Sequence, residues 1–252
     1  MLKKIIIIFL DIFFPKYCFG CKKQGIYLCE DCKACLEISQ YQYCLCKKPI
    51  IYSGKCNKCK LKKLDALYFA ISYQKSLIKK LIQYFKYEPL IKELSNPLTF
   101  LVIEHFQLLE NQPSFLIDKV NESCASSSRF ANARVTDYIL IPIPLYIKKL
   151  KWRGFNQAEE IAKELSNFLD IPSAFDCLIK NQETRPQTEL NDQERKENVK
   201  GVFLIKNKEK IKNKKILLVD DVYTTGSTME EAAEVLKKAG AKKVIGITIA
   251  RG

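Results

Sequence analysis

The chain has 252 residues, and its 42 lysines and arginines outweigh 28 aspartates and glutamates to give a formal net charge of +14. Hydrophobic residues make up 47%, which excludes a disordered chain and provides a core for one ordinary domain and a smaller module. The positive charge favours a polyanionic partner, although a lysine-rich composition alone gives the same excess.

The N-terminal segment, MLKKIIIIFLDIFF, has the lysines and the apolar run of a signal peptide. However, Asp11 interrupts the run, and no small-residue cleavage site follows it. The run is also far shorter than the ~20 residues that a membrane helix needs. We therefore expect a short amphipathic helix that packs on the main domain, and no transmembrane segment.

Residues 1–63 are rich in cysteine, because nine of the 11 cysteines lie between residues 18 and 59. C-x-x-C spacing without a secretory signal is typical of metal binding in a reducing compartment rather than of disulfides. The first group consists of Cys18, Cys21, Cys29 and Cys32, which form two such pairs. Two pairs complete a closed tetrahedral site, so they predict a structural zinc ion.

A second group is less regular and consists of Cys44, Cys46, Cys56 and Cys59. Cys56 and Cys59 have the C-x-x-C spacing, whereas the other two are one residue too close together. In the pattern of a double zinc ribbon, Tyr43 occupies the position of the expected first cysteine. Cys44 can replace it if the turn shifts, and Cys35 is the alternative, so the fourth ligand of a second zinc site stays open.

The cysteine-rich residues 1–63 also carry 13 lysines and four acids, a formal charge of +9. Eight thiolates and two zinc ions would reduce this excess but leave the module basic. Aromatic residues lie among the lysines, at Tyr17, Phe19, Tyr27, Tyr41, Tyr43 and Tyr52. Such residues are typical either of single-stranded nucleic-acid binding, where bases stack on them, or of the small core of the module.

Residues 64–252 are predicted to form the main domain, which begins with a helical hood over residues 64–110. The pattern predicts a strand over Ala66–Tyr73, a helix over Ser76–Tyr87 and further helix over Pro89–Leu109. The single histidine, His105, is interpreted as a surface or hydrogen-bonded helix residue, since the cysteines lie far from it in sequence. Residues 111–136, where Asn, Gln, Ser and Arg increase, are expected to be a loose insertion.

Residues 137–252 have the alternation of an α/β sheet core. Tyr138–Pro144 and Lys243–Ala250 are apolar strands, and a helix opens at Phe155 and runs to Leu169. This order predicts a parallel sheet flanked by helices, with ligands at the carboxyl ends of the strands. A basic turn over residues 148–154 follows the first of these strands and is either an anion site or a basic surface turn.

Ile216–Thr228, ILLVDDVYTTGST, is the most informative segment of the chain. An apolar strand delivers Asp220 and Asp221 to its carboxyl end, a turn of small residues follows, and Ser227 begins a helix with Glu230 at capping-box spacing. Backbone N–H groups at a helix N-terminus bind phosphate, and carboxylates accept hydrogen bonds from sugar hydroxyls. The segment therefore predicts a pocket for ribose 5-phosphate, and it lacks the glycine patterns of triphosphate and dinucleotide sites.

VDDVYTTGST resembles the signature of type I phosphoribosyltransferases, which bind 5-phosphoribosyl-1-pyrophosphate (PRPP) with Mg²⁺. The resemblance implies their fold, a parallel sheet flanked by helices. It implies that Asp220 and Asp221, the catalytic candidates, contact the ribose hydroxyls. It further implies a PRPP-binding phosphate loop made of Tyr223, Thr224, Thr225, Gly226, Ser227 and Thr228.

RGFNQAEEIA at Arg153–Ala162 and TRPQTELNDQERKENVKGVF at Thr184–Phe203 narrow the resemblance to the ComF (ComFC) family of competence proteins. That family also carries an N-terminal double zinc ribbon. The resemblance implies that Arg153 and Gly154 belong to a pyrophosphate loop that binds PRPP. It also implies a mobile loop over the site from Thr184 to Asn198, with polar positions at Gln187, Arg195 and Asn198.

The ComF resemblance implies a cytoplasmic PRPP-binding protein that handles single-stranded DNA in natural transformation, at the inner face of the DNA-uptake machinery. The alternative is an active phosphoribosyltransferase that joins ribose 5-phosphate to an unidentified acceptor and releases pyrophosphate. Because function depends on the site rather than on the fold, the sequence leaves both open.

Overall fold

The computed structural model describes residues 15–46, 48–50, 55–109, 113, 137–184 and 191–252. The predicted N-terminal helix and Gln187 lie outside these ranges, as does the predicted insertion apart from residue 113. The predicted division of the chain at residue 63 stays a prediction.

In these ranges the strands are β1 (Gln42–Tyr43), β2 (Pro49–Ile50), β3 (Ala66–Ser72), β4 (Tyr138–Pro142), β5 (Leu178–Lys180), β6 (Phe203–Ile205), β7 (Lys215–Tyr223) and β8 (Lys243–Arg251). The helices are α1 (Glu30–Ala34), α2 (Ser76–Lys86), α3 (Ser95–Leu108), α4 (Ile147–Arg153), α5 (Gln157–Leu169), α6 (Asp192–Asn198) and α7 (Ser227–Lys238). Short 3₁₀ turns lie at Asn57–Cys59, Lys92–Leu94 and Lys208–Lys210.

Four strands form the central sheet in the order β3, β8, β7, β4, and every neighbouring pair is parallel. These strands are almost continuously apolar because helices or loops cover both faces of a parallel sheet. The predicted α/β fold with a parallel sheet is confirmed. Since the strands share one direction, their carboxyl ends meet at one edge, where Pro142, Tyr223 and Arg251 end β4, β7 and β8.

The two faces of the sheet are packed against different elements, and β7 shows the division most clearly. Leu217 and Val219 lie in one buried cluster with α2, α3 and α5. Ile216 and Leu218, which point to the opposite face, lie in a second cluster with α7 and the antiparallel β5–β6 pair. This two-layer packing fixes β7 rigidly at the centre of the domain and positions whatever follows its carboxyl end.

The cysteine-rich segment packs into these same two clusters. Leu28 belongs to the first cluster, whereas Cys44 and Cys59 belong to the second. His105 on α3 is buried, and its Nδ1 lies 2.6 Å from the carbonyl oxygen of Ser39. Burial lowers the pKa of His105 to about 4, so the ring is neutral near pH 7 and donates this hydrogen bond. Of the two predicted roles for His105, the structure supports the hydrogen-bonded helix residue.

Two local predictions are wrong. The basic segment after β4 is not a turn but the helix α4, which ends at Gly154 with a left-handed φ of 74°. The capping box predicted for α7 does not form, because Glu230 instead accepts the backbone N–H of Lys63 at 2.6 Å. A capping box does form in the described chain at α6, between Asn191 and Glu194.

The hood differs from prediction in one boundary. Its last helix begins at Ser95 rather than at Pro89. Leu90 has a left-handed φ of 56°, which is incompatible with a continuous α-helix between α2 and α3.

Candidate functional site

A cavity of about 390 Å³ opens at the carboxyl end of β7. It is lined by the predicted site residues Asp220, Asp221, Tyr223, Thr224, Thr225, Gly226, Ser227, Thr228, Arg153, Thr184 and Arg195. The predicted residues Gly154 and Asn198 do not line it. The two anion sites expected from separate parts of the sequence therefore lie in one cavity.

The acid pair lies at the floor of the cavity, at the end of β7. Asp221 is only 6% exposed, and its backbone N–H donates to Oδ1 of Asp220 at 2.9 Å. Burial, followed by the charge of Asp221, raises the pKa of Asp220 to about 7. Both carboxyl groups can therefore accept hydrogen bonds from sugar hydroxyls, and Asp220 can also exchange a proton near neutral pH.

Lys86 is the direct partner of this acid pair and was not predicted from the sequence. Its Nζ lies 2.8 Å from Oδ1 of Asp221. Burial alone would lower the pKa of Lys86, but the carboxylate of Asp221 outweighs it and raises the pKa above its ordinary value. The lysine therefore stays charged and pairs with Asp221.

The turn between β7 and α7 forms the second part of the cavity. Gly226, the N-cap residue of α7, has a left-handed φ of 82° and no side chain to cap the helix, although Oγ1 of Thr225 accepts the N–H of Ser227 at 3.4 Å. Oγ of Ser227 and Oγ1 of Thr225 lie 2.9 Å apart, so hydroxyl groups stand beside the first N–H groups of the helix. Uncapped N–H groups together with the helix dipole favour an anion at this position.

Tyr223, the last residue of β7, supports this turn from the protein interior. A Cβ atom at Gly226 would overlap the Tyr223 ring, so the two residues are in close contact. The guanidinium of Arg251 lies 5.4 Å from the centroid of the same ring. Arg251 also donates to the carbonyl oxygens of Cys44 at 3.0 Å and Leu45 at 2.7 Å. The turn between β7 and α7 is thus connected through Tyr223 and Arg251 to the second cysteine group.

Arg153, which the resemblance assigns to a pyrophosphate loop, is a buried cation in the wall of the cavity. It is 6% exposed, and its Nη1 donates to Oε1 of Gln157 at 2.9 Å. Gln157 in turn donates to the carbonyl oxygen of Phe85 at 2.8 Å, and the Tyr87 ring lies 5.3 Å from the guanidinium. These contacts fix the guanidinium in place before any ligand binds.

Two further lysines face the cavity from neighbouring elements. Lys149 lies on α4, and burial together with Arg153 and Lys86 lowers its pKa. Lys180 ends β5, and burial followed by Lys149 lowers its pKa to about 8. Nζ of Lys180 donates to Oγ1 of Thr184 at 2.7 Å. Cations therefore outnumber the two carboxylates in the cavity, which suits a ligand with several negative charges.

The predicted mobile loop is only partly described. Thr184 and Arg195 line the cavity, but Arg195 and Asn198 belong to the helix α6 rather than to a loop. The capping box of Asn191 and Glu194 stabilises the start of that helix.

The eight cysteines predicted to bind metal form two compact groups. Within each group, all four Sγ atoms lie within 4.8 Å of one another. Sγ pairs such as Cys18–Cys29 at 3.6 Å and Cys46–Cys56 at 3.4 Å are close to the ~3.8 Å that four sulfurs around one tetrahedral zinc ion require. Cys44 belongs to the second group, whereas Cys35 is exposed and belongs to neither. The donor set in both groups fits zinc.

Comparison with known proteins defines the class of this domain. Residues 152–252 match the family described as "Phosphoribosyl transferase domain". The matched residues include Arg153, β7, the turn between β7 and α7, and α7. The parallel sheet is consistent with this match. The C-terminal part of the chain is a type I phosphoribosyltransferase-like domain.

Two competence proteins are similar to this chain. Competence protein F of Haemophilus influenzae is 37% identical over 106 residues, which cover 42% of this chain and 46% of that protein. The chain therefore matches less than half the length of this relative. Competence protein ComFC of Streptococcus pneumoniae is 29% identical over 226 residues, 89% of this chain and 87% of that protein. The chain is thus similar to competence proteins F and ComFC.

Among solved structures, purine phosphoribosyltransferase from Pyrococcus horikoshii aligns with 63% of this chain and 82% of that protein. The identity is 18% and the TM-score is 0.29. Across the described ranges, no helix combines the length and the apolar character that crossing a bilayer requires.

Proposed function

We propose that this chain binds PRPP with Mg²⁺ in the cavity at the end of β7, and that it handles single-stranded DNA during natural transformation. The observation that carries the proposal is the juxtaposition, in one cavity, of an acid pair, an uncapped helix N-terminus and a surplus of cations. PRPP needs all three, because it has a ribose with free hydroxyls, a 5-phosphate and a pyrophosphate.

Each part of PRPP has a counterpart in the cavity. The 5-phosphate binds the N-terminus of α7 and the hydroxyl-rich turn before it. The ribose hydroxyls donate to Asp220 and Asp221. The pyrophosphate binds the cationic wall, where Arg153, Lys149 and Lys180 offer donors.

Magnesium accompanies the pyrophosphate in this proposal. Mg²⁺ prefers phosphate and carboxylate oxygens, and Asp220 and Asp221 are carboxylates that line the cavity. When bound, the ion neutralises part of the charge on the pyrophosphate. Thr184 and Arg195 line the cavity and offer further polar groups to the ligand.

Each cysteine group holds one structural zinc ion in this proposal. Four thiolates leave no open position on zinc, so neither ion takes part in chemistry. Both groups pack against the core of the main domain, and their role is to hold the N-terminal segment on it.

The DNA role is supported by the competence proteins in the family and by the formal charge of +14. The proposed partner is a single strand delivered by the DNA-uptake machinery at the inner face of the membrane. The basic residues of 1–63 contribute to its binding through phosphate contacts.

The PRPP site is tested by isothermal titration with PRPP and Mg²⁺. We expect the double variant Asp220→Asn/Asp221→Asn to lose at least about tenfold in affinity, or ~1.4 kcal/mol, because each Asn keeps only one acceptor oxygen, places an N–H donor against the ribose hydroxyls and lacks the charge that attracts Mg²⁺. The matched control is Glu93→Gln/Glu209→Gln, which removes two exposed carboxylates outside the cavity. An equal PRPP affinity for wild type and the Asp220/Asp221 variant would contradict the proposed PRPP site.

Turnover is measured separately, as pyrophosphate release when PRPP is supplied with individual nucleobases. Steady release with one base would assign the chain as an active phosphoribosyltransferase. PRPP binding without release for any base would favour a handling role.

A further inference from the structure

A second groove, of about 330 Å³, adjoins the PRPP cavity. The two share Lys149, Lys180 and Thr184 in their walls, so the groove continues from the cationic side of the cavity. The groove adds Trp152 and Tyr146 from α4 and the residue before it. We call it the Trp152 groove.

Trp152 is unusual because it is the only tryptophan of the chain and is 54% exposed. Large aromatic side chains normally bury most of their surface, and an exposed one in a concave site is typical of ligand recognition. The guanidinium of Arg153 lies 6.0 Å from the ring centroid. The ring is thus placed between the PRPP cavity and solvent.

The charge of the groove is positive and incompletely neutralised. Lys148 forms an ion pair with Glu183 at 3.0 Å. Lys149 has no ion pair among the described residues, and Lys180 donates to a hydroxyl rather than to a carboxylate. Burial lowers the pKa of both lysines, followed by the charges of Arg153 and Lys86 at Lys149 and by the charge of Lys149 at Lys180, so an anion beside them would relieve an unfavourable arrangement.

We propose that the Trp152 groove binds single-stranded DNA, with a base stacked on Trp152 and backbone phosphate on Lys149 and Lys180. An unpaired base can stack on the ring, whereas the bases of a duplex are already stacked on each other. The inference rests on the proposed function for the nature of its ligand, and it gives that ligand a site outside the cysteine-rich module. Because the two lysines face both spaces, PRPP and DNA compete for them.

The lone tryptophan makes a direct test possible with the full-length protein. A single-stranded oligo(dT) of about 20 residues is titrated while tryptophan fluorescence is recorded, and binding is measured in parallel by anisotropy of the labelled oligonucleotide. We expect quenching by the single strand, weaker binding of a duplex of equal length, and weaker DNA binding at saturating PRPP.

Variants separate stacking from charge. Trp152→Leu is expected to weaken single-strand binding about fivefold or more, and Trp152→Phe to retain part of the affinity. Phe100→Leu removes another half-exposed aromatic residue, which lines neither space, and should bind as wild type does. Lys149→Gln/Lys180→Gln should reduce the salt dependence of binding by about one to two phosphate contacts.

The outcomes distinguish this inference from the proposed function. If Trp152→Leu binds single strands as wild type does, the groove is not the site, whereas PRPP binding and a DNA role through residues 1–63 stand. Tighter binding of duplex than of single strand, or quenching by neither, overturns the groove as well. If full-length protein binds PRPP but no DNA at low salt, both the inference and the DNA part of the proposed function fail. The PRPP titration of Trp152→Leu shows whether the variant keeps its fold and its cavity.

Discussion

Two independent constraints favour glycine at position 226, in the turn between β7 and α7. Its φ of 82° lies in the left-handed region, which costs a residue with a side chain about 1–2 kcal/mol. Its Cα also lies so close to the Tyr223 ring that a Cβ atom would overlap it. The glycine therefore sets both the path of the turn and the distance between the turn and its support.

Gly226→Ala is predicted to lose both stability and PRPP affinity, because the overlap must push the turn away from Tyr223. Gly201→Ala is the matched control, since Gly201 has a φ of 71° but nothing within 4 Å of an added Cβ atom. Urea unfolding and PRPP titration of both variants give the comparison. We expect the control to lose about 1 kcal/mol with unchanged affinity. Equal losses of stability in both variants would contradict the overlap, as would full PRPP affinity in Gly226→Ala.

At the residue scale, the sequence predicted the parts of the site that are contiguous and missed those that only folding assembles. Asp220, Asp221 and the turn after them form one unbroken pattern. Lys86 and Lys180 stand at the ends of α2 and β5, where a lysine is normally a solvated surface residue. Nothing in the neighbouring sequence distinguishes these two lysines, because only the folded chain brings both side chains to the cavity at the end of β7.

At the scale of elements, the two wrong predictions have different physical causes. Ser227 and Glu230 have the spacing of a capping box, but the backbone of Lys63 takes the carboxylate of Glu230 from a position 167 residues away in sequence. A tertiary hydrogen bond thus replaced a local one. The segment before Gly154 has many lysines and no clear apolar period, yet it forms α4, whose exposed lysines are compatible with a helix.

The second cysteine group shows how folding settles a choice that spacing left open. Cys44 follows β1, which pairs with β2 and thereby directs its Sγ toward Cys56 and Cys59. Its Sγ also accepts the backbone N–H of Cys56 at 3.4 Å. Cys35 follows α1 and stays exposed, outside either group. The alternative ligand is therefore poorly placed.

Zinc analysis of purified variants tests this arrangement. Wild type is predicted to hold about two zinc ions per chain, and Cys44→Ser about one, because three thiolates bind zinc more weakly than four. Cys35→Ser is the matched control and should keep both ions. Metal content is measured by mass spectrometry after dialysis against a mild chelator. Loss of an ion in Cys35→Ser together with retention in Cys44→Ser would reverse the assignment.

At the scale of the whole molecule, the cysteine groups and the cavity at the end of β7 are parts of one packed structure. The second group is connected to the turn between β7 and α7 by polar and aromatic contacts. The carbonyl of Cys44 contacts Arg251, and Arg251 contacts Tyr223. The first group has a looser connection, in which Phe19 packs on Tyr84 of α2 with ring centroids 4.7 Å apart. The two groups should therefore affect the cavity unequally.

Removal of metal from the second group is predicted to weaken PRPP binding more than removal from the first. Cys56→Ser and Cys32→Ser are a matched pair, since each residue is half-buried and belongs to one group. Both should lower the midpoint of thermal unfolding, because each leaves an incomplete site beside the core. PRPP affinity should fall several-fold more in Cys56→Ser, because the backbone that holds Arg251 then relaxes.

Arg251→Met separates this connection from a general loss of stability. It keeps all eight cysteines and removes the hydrogen bonds to Cys44 and Leu45 together with the guanidinium contacts with the rings of Tyr223 and Phe69. We expect normal zinc content together with PRPP affinity reduced toward that of Cys56→Ser. If Arg251→Met binds PRPP as wild type does while Cys56→Ser does not, the second group acts on the cavity by some route other than Arg251. If Cys32→Ser weakens PRPP binding as much as Cys56→Ser, no specific connection exists and the cysteine groups contribute only to overall stability.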